Sequence, residues 1–298
     1  MKIFKFGGAS VKDADSVKNV LRVLSIQGFE RCLIVVSAMG KTTNALERVV
    51  EFYFNKSDYQ QEIAKIKEEH IQIAKGLFDE NHHVFSEIKL FFDDIESFLR
   101  RNKSPNYNFV YDQVVTCGEM ISSKILSVYL SDNEMGNQWL DARDFIKTDT
   151  NYREGVVNWE DTEKNISQLD KAKTYVTQGF IGSDENNFTV SLGREGSDYS
   201  AAIFAYCLDA KDMTIWKDVP GVMTGDPRKF ENVELLSNIS YEEAIEMAYY
   251  GASVIHPKTL QPLKQKSIPF FVKSFINPEK AGTKIGISTE NQLLESYI

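Results

Sequence analysis

The chain has 298 residues, of which 42% are hydrophobic and 26% charged, the proportions of an ordinary globular protein and not of collagen-like, disordered or membrane-embedded chains. Its formal net charge is −9, and no block of five or more basic residues supplies the clustered positive footprint that a nucleic-acid surface needs. Cys32, Cys117 and Cys207 are odd in number, far apart and without a CxxC pair, so neither a zinc site nor a disulfide framework is expected; no apolar run approaches the ~18 residues of a membrane span, and the expected location is the cytoplasm.

In chain order, Lys2 to Phe6 reads as a short strand. Val17, Val20, Leu21 and Leu24 then recur at helical spacing. Cys32 to Val36, CLIVV, is a β-branched run suited to a strand buried on both faces. Strand, helix, strand implies a right-handed parallel crossover. Residues 58–101 carry two helical apolar faces separated by Asn81 to His83, which predicts a helical hairpin inserted into the α/β pattern. Alternation then resumes with a helix near Ile121 to Tyr129, a strand near Gln138 to Leu140, a polar helix near 158–170 and a strand at Tyr175 to Thr177. GSDENN, between Phe180 and Phe188, suits a hairpin turn and makes the sheet mixed. Ser197 is expected to cap a helix carrying Ala201, Phe204, Ala205 and Leu208, and a strand from Met213 to Trp216 follows.

Five stretches hold residues of chemical interest. KFGGAS (5–10) lies where a strand meets a helix, where free backbone N–H groups and a positive dipole end attract anions. It is neither a P-loop nor GxGxxG, and a plain tight turn explains it as well. VVSAMGKTTN (35–44) puts small hydroxyl residues at the carboxyl end of a strand, where α/β sheets bind ligands; Thr43 or Asn44 as a helix cap is the alternative. In TCGEMISS (116–123), Glu119 near a helix start favours the dipole whatever else it does. LGREGSDYSA (192–201) brings together Arg194, whose planar fork suits a carboxylate, and Asp198, which suits an ammonium; the alternative is that Arg194 pairs with Asp198. In WKDVPGVMTGDPR (216–228), Lys217 and Arg228 bracket a loop with apolar residues for a flat base, and Pro220–Gly221 suits a type II turn.

In this order and spacing the five stretches, with QGFIG (178–182) and GASVIHP (251–257), resemble the aspartate kinases of the amino acid kinase family over nearly the whole chain. KFGGAS is similar to that family's KFGGTS, and the Trp139 to Asp141 stretch and the inserted helices favour aspartate kinases over relatives with other acceptors. The resemblance implies a carbamate kinase-like fold, a three-layer αβα sandwich around an open, mainly parallel sheet. It implies one domain over 1–298, with an aspartate-binding lobe near 1–190 and an ATP-binding lobe near 191–298. It also implies ATP and Mg²⁺ as cofactors, transfer to the side-chain carboxylate of L-aspartate, and a homo-oligomer, a dimer.

Carried over residue by residue, Lys5 neutralises the transferring phosphoryl group, and Gly7, Gly8 and Ser10 form the phosphate-facing turn. Ser37 and Thr43 contact the amino acid, Glu119 and Asp198 hold its ammonium, and Arg194 grips its α-carboxylate. Lys217, Asp218, Met223, Arg228 and Ser253 fall at the nucleotide. None of His70, His82, His83 and His256 is needed as a proton carrier. Four departures stand out: Ala9 replaces threonine, Met223 replaces tyrosine, Ser253 replaces a nucleotide-contacting lysine, and the chain ends without the paired ACT domains usual in the family, so feedback through its own chain is not expected. A binding module that has lost ATP use, or a family member with another acceptor, is the alternative.

Overall fold

The computed structural model describes residues 1–225, 229–250 and 255–287. The first half runs β1 (Lys2–Phe6), a 3₁₀ turn (Gly8–Val11), α1 (Ala14–Gln27), β2 (Cys32–Val36), α2 (Thr42–Phe54), α3 (Tyr59–Lys75), α4 (Val84–Arg101), α5 (Tyr107–Val115), α6 (Cys117–Asp132) and β3 (Gln138–Trp139). It continues through α7 (Ala142–Phe145), α8 (Trp159–Ile166), β4 (Tyr175–Gln178), β5 (Ile181–Ser183), β6 (Thr189–Ser191), α9 (Gly196–Cys207) and β7 (Asp212–Lys217). The last part comprises β8 (Asn238–Ser240), α10 (Tyr241–Tyr249), α11 (Pro257–Gln265), β9 (Phe270–Ser274) and β10 (Thr283–Gly286).

Eight strands form one sheet in the order β3-β4-β2-β1-β7-β9-β10-β8, with β5 and β6 as a separate hairpin. Within the eight-stranded sheet β9 and β10 pair antiparallel and the other neighbours are parallel. The alternation of side chains along β1 sorts the core into two layers. Phe4 and Phe6 join Ile34 and Val36 against α1 to α6, whereas Ile3 joins Leu33 and Val35 against α9 and α11. Lys5 therefore stands on the α9 face of a central strand, an uncommon place for a lysine. The inserted hairpin is α3 and α4 as expected, and it packs with the Phe4 layer through Ile63, Ile66, Ile88, Phe92 and Ile95.

Local sequence sets the boundaries. Asp13 accepts from Ser16 N at 2.8 Å to start α1, and Gly28, at φ 81°, ends it. Ser240 and Glu243 make a reciprocal capping box on α10. Three expectations are corrected. Ser197 does not cap α9, which is preceded by Glu195 in a left-handed conformation and begins at Gly196. Neither Thr43 nor Asn44 caps α2, which begins at Thr42 after Lys41, with the Thr42 hydroxyl donating to the Met39 carbonyl at 2.7 Å. Gly221 has φ 157°, far from the ~80° of a type II turn. Among the described residues no helix is long and apolar enough to cross a membrane.

Candidate active site

The sheet order reverses at β1: β2 lies on one side and β7 on the other, and the chain crosses to each by a separate connection. Such a switch point opens a crevice at the carboxyl ends of the strands. Four parallel neighbours deliver their following residues to it side by side, Gly179 after β4, Ser37 after β2, Gly7 after β1 and Asp218 after β7. Backbone bonds knit these loops: Ser37 N donates to Phe6 O at 3.1 Å, Gly179 N to Val36 O at 2.9 Å, and Gly40 N to Gly8 O at 3.1 Å.

Close approach explains the glycines. A Cβ on Gly8 would stand 2.7 Å from the Ala38 carbonyl oxygen, so only glycine lets the β1 and β2 loops touch. A Cβ on Gly7 would meet only the Lys5 ammonium nitrogen, at 3.6 Å, so this glycine is not required by packing. The KFGGAS turn does not run directly into the long helix. A single 3₁₀ turn intervenes, and the amides of Gly8 to Val11, not those of α1, are nearest to Lys5 in sequence.

Lys5 Nζ lies 2.5 Å from Asp198 Oδ1 and Lys217 Nζ lies 3.7 Å from Asp198 Oδ2. The residue is buried, and each of its carboxylate oxygens faces one of the two ammoniums. Burial would push the Asp198 carboxyl up, but the two ammoniums outweigh it and hold it below the usual carboxylate range. Arg194, two residues before α9, is exposed and pairs with none of the described residues, which removes the alternative of an Arg194–Asp198 pair.

Glu119 is buried in the first turn of α6. Its Oε1 accepts weakly from Ala38 N at 3.4 Å and its Oε2 has no partner. Burial raises its carboxyl to about 8, against the smaller pull of the Ala38 amide and of Lys5. The Ser10 hydroxyl is also buried without a partner. Leaving such groups unmatched costs roughly 1–3 kcal/mol each, a cost a bound ligand can remove. The Ser37 and Thr43 side chains are half-buried, and the Ser37 carbonyl accepts from Ser122 Oγ at 2.7 Å.

On the β7 side, Asp218 is exposed and Met223 half-buried, and Met223 bridges Leu235 to fold the loop back on itself. Trp216 is not available to bracket a base, because it is buried and stacked on Phe6 at 6.1 Å and 8°. Three lysines could supply the cation that Ser253 lacks: Lys258 donates to the Leu192 carbonyl at 2.9 Å, Lys217 faces Asp198, and Lys273 lies 5.6 Å from the centre of the Phe271 ring. Asp226, Pro227, Arg228 and Ser253 lie outside the described residues. Among the described residues no group of three or more His, Cys, Asp or Glu forms a metal cage.

One residue in this neighbourhood escaped the sequence reading. Asp112 is fully buried in α5 and accepts from Ser191 N at 2.9 Å, Ser191 Oγ at 2.6 Å and Arg153 N at 2.8 Å. Its partners are 41 and 79 residues away, so no local motif marks it.

The profile of the "Amino acid kinase family" matches residues 1–274. A bifunctional aspartokinase/homoserine dehydrogenase 2 of Arabidopsis thaliana is 32% identical over 297 residues, 95% of this chain and 32% of that protein. An aspartokinase of Chlamydia trachomatis serovar D is 31% identical over 301 residues, 99% of this chain and 67% of that protein. The crystal structure of E. coli aspartokinase III in complex with aspartate and ADP superposes with a TM-score of 0.87 at 30% identity, covering 98% of this chain and 65% of that one. The chain thus spans about a third of the bifunctional relative and two thirds of the shorter one. It belongs to the amino acid kinase family, and its kinship there is with the aspartokinases.

Proposed function

We propose that this chain is an aspartate kinase, transferring the γ-phosphoryl group of ATP to the side-chain carboxylate of L-aspartate to give 4-phospho-L-aspartate and ADP. The observation that carries the reading is the arrangement at the sheet switch point: a Lys5–Asp198–Lys217 cluster lies in the sheet centre, with the unpaired Arg194 guanidinium and the unmatched Glu119 carboxyl in the flanking segments. These groups suit a substrate with a phosphoryl group, an α-carboxylate and an ammonium. The E. coli relative with aspartate and ADP supports the same pair of ligands.

A side-chain carboxylate has a pKa near ~4, so it is already ionised at neutral pH and needs no general base. One of its oxygens forms the new bond to the γ-phosphorus as the bond to the bridging oxygen of ADP breaks. The protein's work is alignment and charge neutralisation. Arg194 grips the α-carboxylate, Glu119 and Asp198 hold the ammonium, and Ser37 and Thr43 line the amino-acid side. Lys5 faces the phosphoryl group, and Gly7, Gly8 and Ser10 shape the turn beneath it. Lys217, Asp218, Met223, Arg228 and Ser253 serve the nucleotide, which enters with Mg²⁺ on its phosphates. On this reading the amino acid is held mainly by residues before about 190 together with the start of α9, and the nucleotide by the segment that follows β7. The product feeds lysine, threonine and methionine synthesis.

The test is a coupled ADP-release assay offering L-aspartate, L-glutamate, N-acetylglutamate and UMP. Preference for L-aspartate is expected, and preference for any other acceptor overturns the proposal.

A further inference from the structure

Arg194 is placed by a tight turn in which Leu192 N donates to Phe180 O at 2.8 Å, Gly196 N donates to Gly193 O at 3.0 Å and Lys258 donates to the Leu192 carbonyl at 2.9 Å. It is exposed, follows Gly193 at φ 77°, and precedes Glu195 at φ 53°. Left-handed positions on either side of Arg194 set the direction in which its side chain leaves the turn, and the turn as a whole is placed by the strand before it. That strand, β6, is short; among the described residues its strand partner is β5, and the Gln113 side chain of α5 holds its start by accepting from Thr189 N at 3.1 Å and donating to Thr189 O at 2.8 Å. Its last residue, Ser191, is two positions from Gly193.

The Asp112 carboxylate is the fixing point. One oxygen takes both the Ser191 and Arg153 amides, at 2.9 and 2.8 Å, and the other takes the Ser191 hydroxyl at 2.6 Å. The Arg153 carbonyl in turn is the surface against which Gly193 turns, since a Cβ there would stand 3.2 Å from it. Gly155 N closes the circuit by donating to the Ser191 carbonyl at 2.9 Å. Arg153 is itself held over the Tyr111 ring at 4.1 Å and 3.5 Å from Glu47 of α2. Both walls of the Gly193 turn therefore converge on one buried acid from α5.

We infer that Asp112 is a positioning residue for the acceptor amino acid: by clamping Ser191 and Arg153 it fixes the turn that presents Arg194 to the substrate carboxylate. The inference rests on the aspartate kinase reading for what Arg194 grips, but the clamp itself is a property of the free protein. Asparagine should largely preserve it, because the amide oxygen can take both backbone N–H groups while the amide nitrogen donates to the Ser191 hydroxyl, which can accept.

The test compares Asp112→Ala, Asp112→Asn and Ser191→Ala in the whole chain. In steady-state kinetics Asp112→Ala should raise KM for L-aspartate about tenfold with KM for ATP unchanged. Asp112→Asn should restore it to within about threefold, and Ser191→Ala, which loses one of the three bonds, should raise it about threefold. In an Arg194→Ala background Asp112→Ala should add little, since both act on one contact. Backbone amide exchange over 189–197, measured without substrate, should quicken in Asp112→Ala while exchange in β1 and β2 stays as in the wild type. If Asp112→Ala does not fold, Ser191→Ala carries both measurements. Unchanged exchange over 189–197, an equal rise in both KM values, or full additivity with Arg194→Ala overturns the clamp. A wild type that does not phosphorylate L-aspartate overturns the functional reading instead, and the exchange comparison still decides whether the clamp exists.

Discussion

Lys5 reaches Asp198 across the gap between β1 and the first turn of α9, at 2.5 Å, and this contact links the strand that begins the fold to the helix that leads into the neighbouring strand β7. Removing the lysine has two consequences. The transferring phosphoryl group loses its nearest protein cation, so Lys5→Ala should lower kcat by about 100-fold or more, as loss of one preorganised electrostatic group commonly does. Buried Asp198 also loses its closer counter-charge and keeps only Lys217, 3.7 Å away. The variant should therefore melt several degrees below the wild type while remaining folded, measured by circular dichroism alongside the ADP-release assay. Unchanged melting would contradict the pair's structural part; unchanged kcat would contradict its catalytic part.

Glu119 and Asp198 should affect stability with opposite dependence on pH. Asp198 is held below the usual range, so its contribution is present above the unfolded carboxylate pKa and is lost as pH falls through the folded value. Glu119 is raised to about 8, so the folded state holds a proton that the unfolded chain releases near pH ~4.5, and stability falls as pH rises from there through about 8. Glu119→Gln removes this second dependence. Its melting temperature should exceed that of the wild type at pH 8 by more than at pH 5, a difference measured by calorimetry at both values.

The same carboxyl must ionise to meet an ammonium well. Aspartate binding should therefore strengthen between pH 6.5 and 8.5 in the wild type and lose most of that dependence in Glu119→Gln. Titration calorimetry in two buffers of different ionisation enthalpy should show proton release on binding to the wild type and little to the variant. Proton release equal in both proteins would sever Glu119 from the ammonium.

Arg194 offers a separate test of the acceptor side. Exposed and without a partner among the described residues, it contributes little to folding, so Arg194→Ala should leave the melting temperature within about a degree. KM for L-aspartate should rise by about tenfold or more with KM for ATP unchanged. Arg194→Lys should recover only part of the loss, because a point charge cannot reproduce a two-pronged grip on a carboxylate. Equal effects on both substrates would move Arg194 off the acceptor.

What was legible in the sequence followed from contiguity. β1 and β2 were visible as short apolar runs, β2 a continuous β-branched one, and the inserted hairpin α3–α4 because its apolar residues recur with a period of about 3.6. The Lys5, Arg194 and Asp198 stretches were visible because charges and glycines crowd a strand end or a helix start. What failed was decided by backbone conformation or distant partners. Ser197 looked like a cap, but the left-handed conformation at Glu195 starts the helix two residues earlier. Trp216 falls in its strand as expected, but its ring stacks on Phe6, a neighbour only once β1 and β7 pair, and so is withdrawn from the loop that follows. Asp112 carries no local signal, since its hydrogen bonds go to residues far along the chain.

Gly7 and Gly8 are adjacent and chemically identical, yet their surroundings differ. At Gly8 an added Cβ would lie 2.7 Å from the Ala38 carbonyl oxygen and 3.0 Å from that of Gly40, both backbone atoms of the β2 loop that cannot yield without parting the two loops. At Gly7 the nearest atom is the mobile end of Lys5, 3.6 Å away, and the glycine's conformation, φ −78° and ψ 171°, is open to any residue. Gly8→Ala should therefore lower both melting temperature and turnover, because the Gly8–Gly40 backbone bond at 3.1 Å is lost along with the turn. Gly7→Ala should keep the melting temperature and lower turnover alone, because its methyl would face the ammonium where the phosphoryl group is to be met. The discriminating measurement is the pair of thermal melts beside the pair of kcat values. If Gly7→Ala is as active as the wild type, no phosphate approaches the backbone there and KFGGAS is only a turn; if it melts as low as Gly8→Ala, its glycine serves folding and not the substrate.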